Sequence, residues 1–505
     1  MTHSATVMRD QRGVALPLAL ISLLILTMLV LTVLNLGAVE PQISRNLSDT
    51  ARARHMAEAG IEWAFDCLAD QDLNSFFAGP DGIQGNTDDQ LATSVAGQNV
   101  AARMDATFCT TSPPPGALPG LTTAAGAFAV AIRNDSIAAQ ANYAGDQVLT
   151  GQPVDGGGKY ADTNGIVILT ATGTFGSATR QITAVVSRNT LTTNAAVTLP
   201  GLQADTYING VTANQTIDGR DWTQTDLNAV APTGTGPMRF GIATQPGVQA
   251  NLGVTYESRA ESAFDTVAKQ NTVQGKHQGS GVLTSGLNTI APDTTLSPSA
   301  MQNFLNKLVA NPNTMVIQSS LTCPLVLTGS AAISLSLPDS PKFPRLSTAG
   351  SGCPGSPPIG QTLNLGSPDD PKLVYFRGQL DTSSTFTGLR LNGAIKGAGI
   401  LVVEDGDLSI NTSGAGLNIS GRNVDFYWDG IVIVTGRYIG TGFRAGSNTE
   451  IRGAFIANET VGTEANGYFE FLTQANSLAL RNSTQNINTA LRAAYNQRII
   501  SWREN

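Results

Sequence analysis

The chain has 505 residues, a length typical of two to four domains. Charged residues make up 13% of the sequence, 53 residues are glycine, and the formal net charge is −8. This composition argues against nucleic-acid binding, which needs basic patches, and favours an exported, loop-rich β protein.

The first predicted element is an apolar stretch long enough to cross a membrane. No charged residue lies between Arg12 and Glu40, and a helix over residues 14–39 is about 39 Å long, more than the ~30 Å hydrocarbon core. Arg9 precedes the stretch together with Arg12, so the positive-inside rule predicts a cytoplasmic N-terminus and an exported remainder. The alternative is a cleaved secretory signal, but its apolar core is shorter, at ~7–15 residues, and no A-x-A-like site follows here.

The start of this stretch resembles the class III leader of type IV pilins. A short basic leader, residues 1–13, ends in Gly13, and the apolar run begins at Val14. The resemblance implies that a prepilin peptidase cuts between these two residues. Most pilins carry Glu as the fifth mature residue, whereas this chain has Leu18, as in PilX-type minor pilins and K-type pseudopilins. A neighbour's N-terminal amine therefore lacks its usual carboxylate partner in the apolar bundle.

Helical periodicity continues beyond the membrane. Apolar residues recur about every 3.6 positions from Ile43 to Leu68, so we predict one helix over residues 14–70 that is kinked at Pro41. A segment of this helix resembles the AEAGIE signature of PilX-type N-terminal domains, with the residues Ala57, Glu58, Ala59, Gly60, Ile61 and Glu62. This resemblance identifies the chain as a PilX-type pilus assembly protein or minor pilin. Its implied partners are other pilins, pilus assembly proteins and the prepilin peptidase.

Residues 71–190 are predicted to form a pilin-like β-rich head. Two β-branched runs, 165–172 and 180–188, flank the Gly-containing turn 173–177 and predict a β-hairpin. PilX-type proteins have a similar Gly-aromatic-Gly turn before an Arg-rich strand. The head also contains a Gly-rich loop over residues 78–89.

That loop is a candidate calcium site. It carries the oxygen ligands Asp81, Asn86, Asp88 and Asp89, and Ca²⁺ requires six to eight oxygens. The spacing is not that of an EF-hand. A solvated acidic turn without bound metal explains the same residues.

Cysteine usage is typical of an exported protein. The four residues Cys67, Cys109, Cys323 and Cys353 have no Cys-x-x-Cys spacing, so disulfides are favoured over a zinc site. Three pairings are possible, and the most local one joins Cys67 to Cys109 and Cys323 to Cys353. Four independent buried thiols are the alternative.

The C-terminal half is predicted in three parts. Residues 191–371 are a mixed β-rich region with a helix capped by Ser297 and a second, polar helix near 256–270. Residues 372–460 contain similar apolar strands at intervals of about 20–30 residues, typical of a parallel β-solenoid, with a β-sandwich as the alternative. Residues 461–505 are predicted as an amphipathic helical segment whose tail, including Trp502, docks back on the solenoid or head.

Catalysis has little support in the sequence. The histidines His3, His55 and His277 assemble no recognisable triad, so we expect no enzyme. Carbohydrate-cleaving solenoids use acidic clusters, and the corresponding candidates here are Glu404, Asp405, Asp407, Asp425 and Asp429. Such acids more often stabilise turns.

The sequence thus predicts an α+β chain in the bacterial inner membrane with an exported head. The favoured function is a minor pilin-like component of type IV pilus assembly, at the pilus tip or priming assembly. A membrane-anchored adhesin outside any filament is the main alternative, and a solenoid glycosidase is the remaining one.

Overall fold

The computed structural model describes the chain from the N-terminal helix to the last strand, with gaps. The described residues are 15–68, 77, 102–104, 126–135, 162, 165–188, 191, 193–200, 213–226, 229, 231–234, 236–248, 253–293, 295–318, 325–328, 345–348, 363–378, 388–392, 394–404, 407–411, 417–419, 422–424, 426–435, 441–443, 448–457, 471–473, 477–494 and 498–504.

Helix α1 runs without interruption over Ala15–Leu68, 54 residues. At 1.5 Å per residue it is roughly 80 Å long. Leucine, isoleucine and alanine dominate its first half, and these residues favour helix where every backbone group must be satisfied internally. The helix continues through Pro41, because apolar periodicity resumes directly after that residue.

The second half of α1 packs on an antiparallel sheet, which we call the head. Four of its strands follow α1 in the chain: β1 (Ala102–Met104), β2 (Ala127–Asn134), β3 (Ile166–Phe175) and β4 (Ala178–Ser187). The predicted hairpin forms β3 and β4, which pair from Ile166↔Ser187 to Phe175↔Ala178. The head core lies between α1 and this sheet, and residues of both elements fill it, among them Ile61 and Leu169.

The next 300 or so residues form a second, β-rich unit, which we call the inserted domain. Its strands are β5 (Ala195–Leu199), β6 (Gln215–Asp218), β7 (Phe240–Thr244), β8 (Val273–Lys276), β9 (Leu283–Ser285), β10 (Ile290–Pro292), β11 (Thr314–Gln318), β12 (Leu325–Thr328), β13 (Arg345–Thr348), β14 (Lys372–Arg377), β15 (Gly388–Asn392), β16 (Ile395–Glu404), β17 (Asp407–Asn411), β18 (Leu417–Ile419), β19 (Arg422–Val424), β20 (Phe426–Thr435), β21 (Thr441–Phe443), β22 (Asn448–Ala457), β23 (Phe471–Thr473) and β24 (Ser477–Asn482). Its helices are α2 (Tyr256–Glu261), α3 (Val267–Gln270), α4 (Pro298–Ala310) and α5 (Thr484–Ala494).

Most strands of the inserted domain pair in parallel in two sheets. The larger sheet runs β11-β14-β16-β20-β22-β24-β6-β8-β9, with antiparallel pairing at β8–β9. The other runs β13-β12-β15-β17-β21-β23, with antiparallel pairing at β12–β13. From β11 to β23 the chain alternates between the two sheets, except that β12 and β13 are consecutive strands of the smaller sheet and β18 and β19 form a separate hairpin. Apolar residues of both sheets form one core between them.

Three glycines lie in register across the larger sheet. Gly399, Gly430 and Gly453 pair across β16, β20 and β22, with φ of 113°, 133° and 145°. Side chains other than hydrogen are strained at such angles. A Cβ on Gly430 would also lie 2.2 Å from the Gly399 carbonyl oxygen, so both conformation and space require glycine.

Helices α4 and α5 cover the outer face of the larger sheet. These helices share one apolar cluster with the sheet, which includes Phe304 and Leu308 of α4, Leu491 of α5, and Ile431 and Ile433 of β20. Ser297 caps α4 by accepting a hydrogen bond from the Ala300 N–H at 3.1 Å, as its sequence predicts. The second predicted helix, near 256–270, is instead the two short helices α2 and α3.

The last strand, β25 (Arg498–Glu504), returns to the head and pairs antiparallel with β4. The predicted amphipathic segment 461–505 is therefore β23, β24, α5 and β25, and its tail is a strand rather than a helix. The domain boundary expected near residue 371 does not separate two sheets, because β11, which precedes it, pairs with β14, which follows it. The inserted domain thus interrupts the head sheet between β4 and β25.

Candidate functional site

The first half of α1 is apolar and fully exposed. Large side chains from Leu16 to Leu36 project freely, and Leu18 is 61% exposed. By length and composition this helix can cross a membrane. The predicted cleavage residues Gly13 and Val14 lie outside the described residues. The exposed apolar surface is available either to lipid or to other helices.

The second half of α1 meets the head through its smallest side chains. Ala53, Ala57 and Ala64 are completely buried. Opposite them, a Cβ on Gly173 of β3 would lie 2.1 Å from the Ala53 carbonyl oxygen and 2.4 Å from the Ala57 nitrogen. The backbones of helix and strand therefore touch, which larger residues at these positions would prevent.

This contact gives the AEAGIE segment a physical explanation. Ala57, Gly60 and Ile61 are buried against the sheet, and a Cβ on Gly60 would come within 3.1 Å of Phe128. Glu58 is half-buried on the other side of the helix and accepts a hydrogen bond from Arg54 at 3.0 Å. Of the two remaining residues of the segment, Ala59 is half-buried and Glu62 is exposed. The pattern therefore separates a close-packing face from a solvated one.

Ring contacts fix the orientation of the sheet along α1. The Arg52 guanidinium lies 4.8 Å from the centre of the Phe175 ring, at the β3–β4 turn. About 16 Å further along the helix, Trp63 and Phe128 approach to 5.9 Å between ring centres. Gly176 in the turn faces Asp49, since a Cβ there would be 3.3 Å from the Asp49 carboxylate. The β3–β4 turn thus points toward the apolar half of α1.

The opposite end of the sheet lies beside the C-terminal end of α1. Arg188 directly follows β4, and its Nη1 donates a hydrogen bond to the Leu68 carbonyl at 3.4 Å. Arg498, the first residue of β25, pairs with Ser187 at this same end. The two chain connections to the inserted domain therefore leave the head side by side, at the end farthest from the apolar half of α1.

Two of the acidic residues considered for catalysis, Glu404 and Asp429, are engaged in internal contacts. Glu404 accepts a hydrogen bond from Arg377 Nε at 2.7 Å. Asp429 accepts one from the Tyr427 hydroxyl at 2.8 Å and one from Asn486 Nδ2 at 2.9 Å. Asp407 begins β17. Asp405 and Asp425 lie outside the described residues.

A buried charge network surrounds Asp429 on the outer face of the larger sheet. Glu450 contacts Arg452 at 2.6 Å and Arg481 at 3.0 Å, and the first two side chains are almost completely buried. Burial raises the pKa of Asp429 to about 6, although the Tyr427 hydroxyl and nearby cations oppose the shift. Because Asn486 belongs to α5, its hydrogen bond to Asp429 links that helix to the sheet.

The remaining predicted site residues have mixed outcomes. Cys67 is buried and disulfide-bonded in the structure, but the other three cysteines lie outside the described residues, so the pairing stays a prediction. The candidate calcium ligands Asp81, Asn86, Asp88 and Asp89 lie outside them as well. Within the part of the chain that is described, no group of three His, Cys, Asp or Glu side chains is placed to hold a metal.

The sequence did not predict a cluster of three charged residues where the head meets the inserted domain, namely Asp162, Arg188 and Lys307. Asp162 is buried and accepts hydrogen bonds from the Gly165 N–H at 2.7 Å and from Arg188 Nε at 3.3 Å. Lys307 of α4 lies close to the same carboxylate. The only available signal was local: Asp162 precedes and Arg188 follows a predicted hairpin. Lys307 is far away in sequence and gives no such signal.

Comparisons with known proteins include a distant likeness to a solved pilin structure. No protein-family model matches the chain. No curated protein matches it either. Among solved structures, the competence-associated pilin ComZ from Thermus thermophilus aligns with 91% of this chain and 98% of its own, at 12% identity and a TM-score of 0.27. Identity and TM-score at this level do not establish a shared fold.

Proposed function

We propose that this chain is a minor pilin-like component of type IV pilus assembly, held in the bacterial inner membrane until α1 joins a filament. The observation that carries the proposal is the division of α1 into an exposed apolar half and a half seated on an antiparallel sheet. A simple membrane anchor has no need of the second half. The leader and the AEAGIE segment support the same assignment.

We further propose that the subunit occupies the tip of the filament. Its inserted domain is connected at the end of the head farthest from the membrane helix. In a stack of parallel subunits, the next subunit would lie against this end of the head, so the inserted domain leaves no room for it. Leu18 supports an end position as well, since it offers no carboxylate to a neighbour's amine.

Within the inserted domain we infer a β-solenoid. Parallel pairing in two sheets, alternation of the chain between them, and the shared core support this assignment. The β-sandwich alternative has antiparallel sheets. We assign no catalytic role to this domain, since Glu404 and Asp429 both serve internal contacts.

Leader processing is the main test of the proposed function. We expect prepilin-peptidase-dependent cleavage between Gly13 and Val14, and we expect the protein in sheared filaments. A Gly13→Val variant should remain uncut and absent from filaments, whereas a Thr6→Val variant in the same leader should behave as wild type. An uncut wild-type N-terminus would contradict the proposal and favour the membrane-anchored adhesin.

Position in the filament needs a separate test. Immunogold labelling of the inserted domain should mark filament ends, and labelling along the shaft would contradict a tip position. A Leu18→Glu variant should alter incorporation, because it restores a carboxylate in the bundle. Unchanged incorporation would show that this position does not discriminate between ends and interior.

A further inference from the structure

The end of the head that carries the inserted domain contains a buried carboxylate, Asp162. One of its oxygens accepts a hydrogen bond from the Gly165 N–H at 2.7 Å, and the other lies 3.3 Å from Arg188 Nε. The Asp162 side chain has no exposed surface, and 5% of that of Arg188 is exposed. This pair fixes the start of β3 to the end of β4.

The same arginine ties the sheet to the membrane helix. Its backbone N–H donates to the Gly165 carbonyl at 2.7 Å, and its Nη1 reaches the carbonyl of Leu68 at 3.4 Å. Leu68 is the last residue of α1. Arg188 therefore joins three elements of the head at one point.

The inserted domain reaches this point through Lys307 of α4. A Cβ on Gly165 would lie 3.5 Å from Lys307 Nζ, so the ammonium group is next to the Asp162–Arg188 pair. Burial lowers the pKa of Lys307, the Asp162 carboxylate opposes this, and Arg498 adds to it. Just beyond the end of α4, Asn311 donates a hydrogen bond to the Ala494 carbonyl at 3.1 Å, at the end of α5.

We infer that Asp162, Arg188 and Lys307, together with the paired ends of β4 and β25, form a rigid joint that passes a pull on the inserted domain into α1. We call this set the distal joint. The inference that the distal joint bears tension rests on the proposed function. The inference that the joint is rigid is independent of it. Domains in one chain move relative to each other unless a substantial interface prevents it. Here two chain connections and a buried charge cluster replace a flexible linker.

The test measures the distance between head and inserted domain in the full chain, reconstituted in nanodiscs. Spin labels on encoded unnatural residues would replace Thr179 of β4 and Val282, both exposed. The wild-type chain should give one narrow distance distribution. Lys307→Ala and Asp162→Asn should each widen it by about a factor of two or more. Lys307→Ala removes the cation that the inserted domain brings to Asp162, and Asp162→Asn removes the carboxylate that both Arg188 and Lys307 face.

Two variants separate the joint from general effects. Lys307→Arg keeps the cation and should retain the narrow distribution. Lys269→Ala removes a half-buried lysine, paired with Asp265 at 2.8 Å on the inserted domain, and should also leave the distribution narrow. Thermal unfolding of each variant reports whether the head remains folded at the measuring temperature.

Three outcomes would overturn the inference. A broad distribution in the wild type would show a flexible linkage. A narrow distribution in Lys307→Ala, or widening in Lys269→Ala equal to that in Lys307→Ala, would show that the joint residues are not responsible. None of these outcomes affects leader cleavage, so failure of the joint and failure of the proposed function are distinguishable.

Discussion

The contact between α1 and the head predicts that Gly173→Ala is strongly destabilising. The added methyl group would lie 2.1 Å from the Ala53 oxygen and 2.4 Å from the Ala57 nitrogen, where ordinary contact is 3.4–4 Å. Both are backbone atoms, so no side-chain rotation relieves the overlap and the helix must retreat. Overpacking costs about 1–3 kcal/mol, and we expect the upper end because a retreat also opens the packing around Gly60.

Hydrogen exchange measures this loss in the head separately from the inserted domain. A loss of about 3 kcal/mol corresponds to roughly 100-fold faster exchange of those amides that exchange through unfolding of the head. Peptides covering β3 and β4 should show this acceleration, and peptides from β16 and β20 should not. The midpoint of head unfolding should fall by roughly 6–12 °C.

Two glycines in α1 are the matched controls. A Cβ on Gly60 meets only side-chain atoms, at 3.1–3.2 Å, and alanine favours helix by about 1 kcal/mol, so Gly60→Ala should stay within about 1 kcal/mol of wild type. A Cβ on Gly37 has no neighbour within 4 Å, and Gly37→Ala should leave the head unchanged. If Gly173→Ala exchanges no faster than Gly60→Ala, the close backbone contact is refuted.

Three further predictions concern the inserted domain. Gly430→Ala should destabilise it by about 3 kcal/mol or more in urea unfolding, because φ is 133° and the methyl would lie 2.2 Å from the Gly399 oxygen. Unchanged stability would contradict the pairing of Gly430 with Gly399. The folded pKa of Asp429, about 6, is above its unfolded value of 3.8, so protonation of this group should stabilise the wild-type fold by about 2 kcal/mol as pH falls from 7 to 4. Asp429→Asn should lack this rise. Burial raises the pKa of Asp226, but hydrogen bonds from Thr223 and Thr233 lower it to about 2. Its contribution of about 2 kcal/mol to stability should therefore disappear as pH falls from 4 to 2. A pH-independent difference in stability between Asp226→Asn and wild type would contradict this.

Local signals in the sequence predict the elements whose determinants are close together. The small residues Ala57 and Gly60 recur at helical spacing and define the buried face of α1. The turn at Gly176 joins two β-branched runs, and Ser297 precedes Pro298 at the start of α4. In each case, capping, turn geometry or periodicity acts within about a dozen residues.

Long-range pairing escapes the same reasoning. The local sequence RIISWRE, residues 498–504, does not distinguish a helix from a strand. It is a strand because it pairs with β4, which lies more than 300 residues earlier in the chain. Similarly, β24 pairs with β6 through Leu480↔Ile217, which joins regions that composition assigns to separate domains. Asp162 and Lys307 meet for the same reason, because tertiary packing rather than local sequence brings them together.

The position of β25 sets the order in which the chain becomes complete. The head sheet lacks its last strand until roughly 300 residues after β4 have been made, which at ~5–20 residues per second takes on the order of 15–60 s. During synthesis the hydrogen-bonding edge of β4 is open, and an open edge can pair with the strands of other chains. The head sheet therefore stays incomplete until the whole inserted domain has been synthesised. Chaperone demand during biogenesis should accordingly centre on the head.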